Sequence, residues 1–412
     1  MEDGADSARA AAYAEKLARM IAVKTVWREG ESAPFERFQA LLEELFPHAH
    51  AVCGKTVLGG AGGSLLFHWP TAGGQPKDGE GALLLMSHQD VVDADDSWTH
   101  APFAGEISDG RVWGRGALDI KGNLLCILQA IDELAAAGFS PSRDVYVASS
   151  NCEEVGGNDL VVDYLRERGA RVGLLVDEGP CIVRTACVND EEPHLVAQIA
   201  VAEKGQANFK CRALGPGGHA MNPPRNSPLV RLGAFMAEVD AADLFAGSAC
   251  TELFDATGTT VAFTMARGSA ASNVIPREAW VVCDVRLAPG TTVASAKAAL
   301  EDIARGHDVE VVLEKGCDPS PVTDPNGSAV SQVKRAIETV YPGAGCRSML
   351  LSGGTDTKHF VSYVPACVRI TPMVFSPEQC ATIHGTDENI DIAALPGGVD
   401  FFKTLIEQRS EL

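Results

Sequence analysis

Six residues of this 412-residue chain have the types and setting for one kind of chemistry: His88, Asp119, Glu153, Glu154, Asp177 and His384. Imidazole nitrogens and carboxylate oxygens are donors that zinc accepts, and a catalytic zinc keeps a coordination position for water. Two such ions a few ångströms apart can share one carboxylate. Local spacing suits that plan. In His88-Gln-Asp90 a two-residue step in extended chain puts both side chains on one face, so Asp90 can hold the imidazole's second nitrogen. Glu153 and Glu154 are adjacent and point in opposite directions in extended chain, so one can bind metal while the other addresses the water. Each piece alone is an ordinary surface feature. Their joint order, each after an apolar run or in a glycine-rich turn, is what points to a site.

The elements that must position them are legible in the apolar pattern. Ala82 to Met86, Val145 to Ala148 and Val172 to Val176 are short apolar runs, bounded as buried parallel strands are. Helical spacing predicts helices over Lys121 to Ala137, stopped by Gly138, and over Asn158 to Arg168. Each strand runs into a polar cluster: Ser87 to Asp90, Asn151 to Glu154 and Asp177 to Gly179. In open α/β sheets ligands gather at the carboxyl ends of the strands.

After about residue 195 the texture changes. Strands predicted over Val196 to Gly205, Thr260 to Ala266, Ala279 to Leu287 and Val309 to Leu313 alternate with helices near Leu229 to Val239 and Val293 to Ile303. That β-α-β-β-α-β order is the split arrangement of ferredoxin-like units. The expected division is therefore a catalytic domain in two parts, 1–195 and 316–412, with an α+β domain inserted at 196–315. The fold class expected is α/β, with a mostly parallel sheet carrying helices on both faces.

Composition narrows the class. Apolar residues make up 46% and charged residues 22%, an ordinary globular balance, and the length favours two cores. A formal charge of −21 argues against nucleic acid or an anionic membrane as partner. The first 24 residues have early acids and alanine-rich helical spacing rather than a leader, and no apolar stretch reaches the roughly 20 residues of a membrane span. A cytoplasmic protein is expected. The twelve cysteines are scattered without a C-x-x-C pair and read as reduced, mostly buried residues. Gly54-Lys-Thr56 echoes a phosphate loop, but alanine at 49 removes its first glycine, and no G-x-S-x-G elbow supports a serine hydrolase. His48, His50, His68, His100, His194 and His307 lack motif context; His359, after a Gly-Gly-Thr-Asp turn, could line the pocket.

Longer motifs add a resemblance. Ser87-His-Gln-Asp-Val-Val92, Trp98-Thr-His-Ala-Pro-Phe103 and Gly114-Arg-Gly-Ala-Leu-Asp-Ile-Lys121 look like the co-catalytic zinc family of aminoacylases, glutamate carboxypeptidase, acetylornithine deacetylase and carboxypeptidase S. Glu153-Glu-Val-Gly-Gly157, Asp177-Glu-Gly179, Gly217-Gly-His219, Ser272-Asn-Val-Ile-Pro276, Gly353-Gly-Thr-Asp356 and His384-Gly385 continue it in order over nearly the whole chain. Val176-Asp-Glu-Gly-Pro180 and Ala202-Glu-Lys-Gly205 bring it nearest to carboxypeptidase S and its N-acyl-amino-acid hydrolase relatives.

The resemblance implies two Zn2+ ions per subunit, bridged by Asp119, with His88 and Asp177 on one and Glu154 and His384 on the other. It makes Glu153 the general base, with Asp90 behind His88, and it implies a cis peptide at Asp119-Ile120. The inserted domain would be a lid and dimerisation domain. There the resemblance assigns His219 to stabilise the oxyanion in a partner subunit's site, and Asn273 and Arg286 to bind the substrate carboxylate. Gly354 and Thr355 join the substrate-binding set. The implied function is hydrolysis of an amide bond in a dipeptide or N-acyl amino acid by a homodimer. The alternatives are a biosynthetic deacylase of the acetylornithine or succinyl-diaminopimelate kind and a non-catalytic metal-binding scaffold, against which the intact Glu153 counts. Asp93, Ala220-Met-Asn222 and Thr386-Asp387 depart from the usual motifs, which bears on pocket shape and not on the ligands.

Overall fold

The computed structural model describes residues 2–71, 81–185, 194–242, 244–245 and 258–408. Two compact units emerge, one of residues 1–201, 323–348 and 355–412, the other of 202–322 and 349–354.

The first unit is built on an eight-stranded sheet with strands β1 (Gly54–Leu58), β2 (Ser64–Trp69), β3 (Ala82–Met86), β4 (Val145–Ser149), β5 (Val172–Arg184), β6 (Leu195–Glu203), β7 (Gly345–Leu351) and β8 (Cys367–Val374). Their order is β1-β2-β4-β3-β5-β8-β6-β7. The central four, β4, β3, β5 and β8, run parallel, and antiparallel pairs β1–β2, β2–β4 and β8–β6 flank them. Every residue of β3 and β4 is buried. The alternation of a strand explains this: Leu84, Met86, Tyr146 and Leu175 share a core with Val161, Val162 and Leu165 of the helix Leu160–Glu167. The intervening residues, Leu83 and Leu85, are buried as well, as the opposite face requires. The helix Lys121–Ala136 follows the Asp119 loop, is buried along nearly its whole length and packs on the C-terminal helix Leu395–Glu407.

Two local differences from the sequence reading matter for the site. β5 does not end at Val176 but continues to Arg184, so Asp177-Glu-Gly179 lies within a strand that stays paired with β8 through a shift in register. Gly179 allows that approach, because a Cβ there would stand 2.6 Å from the Cβ of Arg369. Glu153–Val155 form a single 3-10 turn rather than extended chain. Gly54-Lys-Thr56 is part of β1, paired with β2, and is no phosphate loop.

In the second unit, strands Gly205–Leu214, Thr260–Arg267, Glu278–Leu287 and Glu310–Cys317 form one antiparallel sheet. Its order places Glu278–Leu287 and Gly205–Leu214 in the centre, with Thr260–Arg267 and Glu310–Cys317 at the edges. The helices Pro228–Ala241 and Val293–Gly306 bury Leu232, Phe235, Val239, Leu300 and Ala304 against Phe209, Cys211, Val281 and Val285 of the central strands. Connectivity and sheet order are those of a ferredoxin-like α+β fold.

The described cysteines are free thiols; Cys187 and Cys250 lie outside the described residues. No helix among the described residues is long and apolar enough to cross a membrane.

Candidate metal centre

The strand ends deliver the first imidazole. Past the end of β3 the chain stays in register, with Ser87 N donating to Ala148 O at 3.1 Å and Gln89 N to Ser150 O at 2.8 Å. This pins His88 in a buried position. His88 Nδ1 lies 2.9 Å from the carbonyl oxygen of Asp90, to which it donates. Nε2 in turn faces Asp119 Oδ1 at 3.2 Å. The carboxylate of Asp90 stands 3.4 Å from Nδ1, but its main work is elsewhere: its two oxygens accept the backbone N–H groups of Glu153 and Glu154, each at 3.1 Å. Asp90 thus holds the turn that carries both glutamates.

Asp119 stands between two imidazoles. Its Oδ2 is 3.0 Å from His384 Nε2, and Glu154 Oε2 is 3.1 Å from the same nitrogen. His384 adopts a left-handed backbone, φ 59°, in a residue type that visits this region only at a cost. The Asp119-Ile120 peptide is cis.

Of the adjacent carboxylates Asp177 and Glu178, it is Glu178 that approaches His88. Along β5 successive side chains point to opposite faces, and Glu178 Oε1 lies 3.5 Å from His88 Nε2. Asp177 turns to a different set of partners, its Oδ2 accepting from Thr357 Oγ1 at 2.6 Å and Thr357 N at 3.1 Å. His88, Glu153 and Glu178 each offer a donor atom within 4.8 Å of the others, and so do His88, Asp119 and Glu154.

The charges explain why such a cluster suits cations. Burial pushes the Glu153 carboxyl up to about 9 and Glu178 up to about 8, with neighbouring acids adding to the effect and His88 opposing it. Burial likewise raises Asp356 to about 6. Hydrogen bonds to Asp119 and Glu154 hold His384 up to about 10. For His88, burial disfavours the charged ring, yet Glu178, Asp119 and Asp90 outweigh it and hold it well above its ordinary range. Burial also opposes ionisation of Asp119, but His384 and His88 overcome this and depress it. Removing one ion from water costs several kcal/mol, so this many acids around two imidazoles need compensating positive charge. The donor set fits metal ions. Ligands at 2.0–2.2 Å from one tetrahedral ion are separated by roughly 3.3–3.6 Å, close to the 3.0 to 3.5 Å found here. Glu154 Oε1 is moreover a buried oxygen without a hydrogen-bond partner among the described residues.

Three further residues escaped the sequence reading. Asp356 is buried and lines a small cavity with His88, Glu153, Asp177 and Glu178. Glu388 and Arg115 form a buried ion pair at 2.7 Å beside the Asp119 loop. Asp356 and Arg115 lay inside quoted motifs without an assigned role, whereas Glu388 had no local signal at all. His359 bonds to Asp159 at 2.7 Å and approaches Gly156 O at 3.3 Å, against the loop after Glu154. Thr355, buried, caps the 3-10 turn Asp356–His359 through its hydroxyl. The remaining histidines have ordinary partners: His48 with Asp132, His50 with Phe46 O, His68 stacked on Tyr146, His100 on Trp113, His194 with Thr185 and His307 with Glu238.

The other expected residues lie in the second unit. His219 and Asn273 are brought together by a short antiparallel ladder in which Gly218 faces Ile275 and His219 faces Val274, and both are exposed. Ala220 N donates to Asn273 O at 2.9 Å. Arg286 donates from Nε to Asp284 at 2.8 Å. Gly354 is exposed.

Known proteins share both sequence and fold with this chain. Probable carboxypeptidase S-like 2 of Dictyostelium discoideum is 26% identical over 446 aligned positions, covering 96% of this chain and 84% of that protein. The human N-fatty-acyl-amino acid synthase/hydrolase PM20D1 is 27% identical over 369 positions, covering 79% and 73%. Among solved structures, the M20 family metallo-carboxypeptidase Sso-CP2 from Sulfolobus solfataricus matches with a TM-score of 0.69 at 18% identity, covering 96% of this chain and 99% of that one. Human carnosine dipeptidase 1 matches with a TM-score of 0.64 at 15% identity, covering 98% and 97%. At these identities the structures speak for the fold. Residues 84–408 match the profile of peptidase family M20/M25/M40, most of the chain, so the protein belongs to that family and is a hydrolase of amide bonds.

Proposed function

We propose that this protein hydrolyses the amide bond of a dipeptide or an N-acyl amino acid with a free carboxylate, using two divalent cations, zinc by preference. The observation that carries the reading is Asp119, whose two oxygens face His88 at 3.2 Å and His384 at 3.0 Å, beside an oxygen of Glu154 that is unpaired among the described residues. His88, Asp119, Glu154 and His384 are the ligands of this reading, with Glu178 rather than Asp177 as the fifth. When bound, the cations polarise the scissile carbonyl and make the attacking water more acidic.

The chain's own groups supply the rest. Glu153 takes a proton from the attacking water and gives it to the leaving amine, so the products are a carboxylate and a free amino group. Glu153 lines one cavity with His88 and Glu178. Asp90 fixes its turn through the two backbone N–H groups. His219 donates to the developing oxyanion, and Arg286 with Asn273 receives the substrate carboxylate. Gly354 and Thr355 border the substrate. The second unit acts as lid in a homodimer. Exposed apolar residues at Met221, Leu229, Val230, Met265 and Val274 support an interface on that unit.

The test is Glu153→Gln in zinc-loaded protein, assayed on a panel of dipeptides and N-acyl amino acids with zinc content measured in parallel. Turnover should fall by about 10²–10⁴ with metal retained. Near-normal turnover in that variant would end the mechanism.

A further inference from the structure

We propose that Arg115 and Glu388 form a clamp that preassembles the ligands Asp119 and His384, so that metal affinity depends on a buried ion pair that contributes no ligand itself. The inference rests on the ligand set proposed above. Glu388 is fully buried, and its carboxylate is used completely. One oxygen accepts the backbone N–H groups of Leu118 at 2.7 Å and Asp119 at 3.0 Å. The other accepts from Arg115 Nη1 at 2.7 Å and from Gly116 N at 3.1 Å. Three of these four donors belong to the backbone of the loop that ends in Asp119.

Arg115 closes the circuit. Its Nη2 donates to the carbonyl oxygen of Gly385 at 2.8 Å, the residue directly after His384. Its guanidinium lies 5.0 Å from the centre of the Trp98 ring, and the next two residues, Thr99 and His100, donate their N–H groups to Asp387 at 2.8 and 3.0 Å. A short ladder pairing Asn389–Asp391 with Arg111–Trp113 sets this register, with Gly114 N donating to Glu388 O at 2.8 Å.

The need for a clamp is visible in the backbone. His384 and Asp387 both have left-handed φ, 59° and 53°, an uncommon backbone for a non-glycine residue although Asp and His adopt it more readily than most. Two chain segments almost 270 residues apart must also present ligands about 3 Å from each other. A carboxylate that grips one segment and an arginine that grips the other remove that freedom before any ion binds. The Trp98-Thr-His and Gly114-Arg-Gly motifs, which hold no ligand, acquire a reason in this arrangement.

The test measures Zn2+ affinity by chelator competition in the full chain, together with hydrogen exchange at Leu118 and Asp119 in metal-free protein. In Glu388→Gln an amide N–H₂ must face donors that a carboxylate oxygen accepted. Affinity should fall about 10–100-fold, the cost of losing a partner behind the ligands, and exchange at both amides should accelerate. Arg115→Lys keeps the charge but not the reach to Gly385, and should give a smaller loss in the same direction; it decides the matter if Glu388→Gln does not fold. Arg9→Gln, which removes an ion pair with Asp400 far along the chain, is the control and should leave affinity unchanged. Wild-type affinity in a folded Glu388→Gln or Arg115→Lys protein overturns the clamp. Absence of Zn2+ binding by the wild-type chain would instead overturn the ligand set on which it rests.

Discussion

The residues proposed for function in the two units differ in how completely their own unit satisfies them. In the first, His88, Asp119, Glu154 and His384 interlock within about 3 Å, and the groups behind them are buried and bonded. In the second, His219 and Asn273 stand exposed on a two-residue ladder, and Arg286, partly exposed, is paired with Asp284. A charge cluster in a poorly solvated place must be built by the unit that contains it, because isolated charges there are costly. Exposed polar groups such as His219 and Asn273 can stand without protein partners, since water satisfies them at little cost.

That contrast can be broken most directly by metal removal. Chelation should abolish turnover and lower the thermal midpoint of unfolding, and both should return with Zn2+; a ligand at 100 times its dissociation constant adds about 2.7 kcal/mol to stability. An apoprotein that keeps activity and midpoint would make the first unit's cluster a hydrogen-bond network and nothing more. In the second unit, His219→Ala should lower turnover by about 10²–10³, the worth of one oxyanion donor, with zinc content and midpoint unchanged. Loss of metal in that variant would erase the division of labour. The smallest effect sharpens the first unit internally: Glu178→Gln should weaken zinc binding about 10–100-fold, whereas Asp177→Asn, which touches Thr357, should weaken it less. The reverse order in a chelator titration would restore Asp177 as the ligand.

Much of the first unit was legible because its signals are local. Ala82 to Met86 and Val145 to Ala148 are apolar runs too continuous for a half-exposed strand, and both are buried strands. The helix from Lys121 shows in its spacing, and so do three strands and both helices of the second unit; the run Val196 to Gly205, expected as that unit's first strand, instead forms β6 of the first unit's sheet, and Gly205–Leu214 takes its place. Errors arose where pairing overrode the local pattern. β5 continues through the polar Asp177-Glu-Gly179 because β8 pairs alongside it, and Glu178 rather than Asp177 approaches His88. Asp90, expected to support His88, has as its chief partners the backbone N–H groups of the turn at Glu153.

By itself, the sequence determined the residue types available for metal and proton chemistry, the strand ends that carry several of them, and the α/β and ferredoxin-like plans, since periodicity and composition are properties of short stretches. Tertiary structure alone decided which carboxylate of Asp177 and Glu178 faces His88, and that Glu388 grips the Asp119 loop while Arg115 reaches Gly385. Those outcomes depend on contacts between segments remote in the chain, where a side chain's direction is fixed by its strand's neighbours and a buried charge by the partners that the fold brings to it.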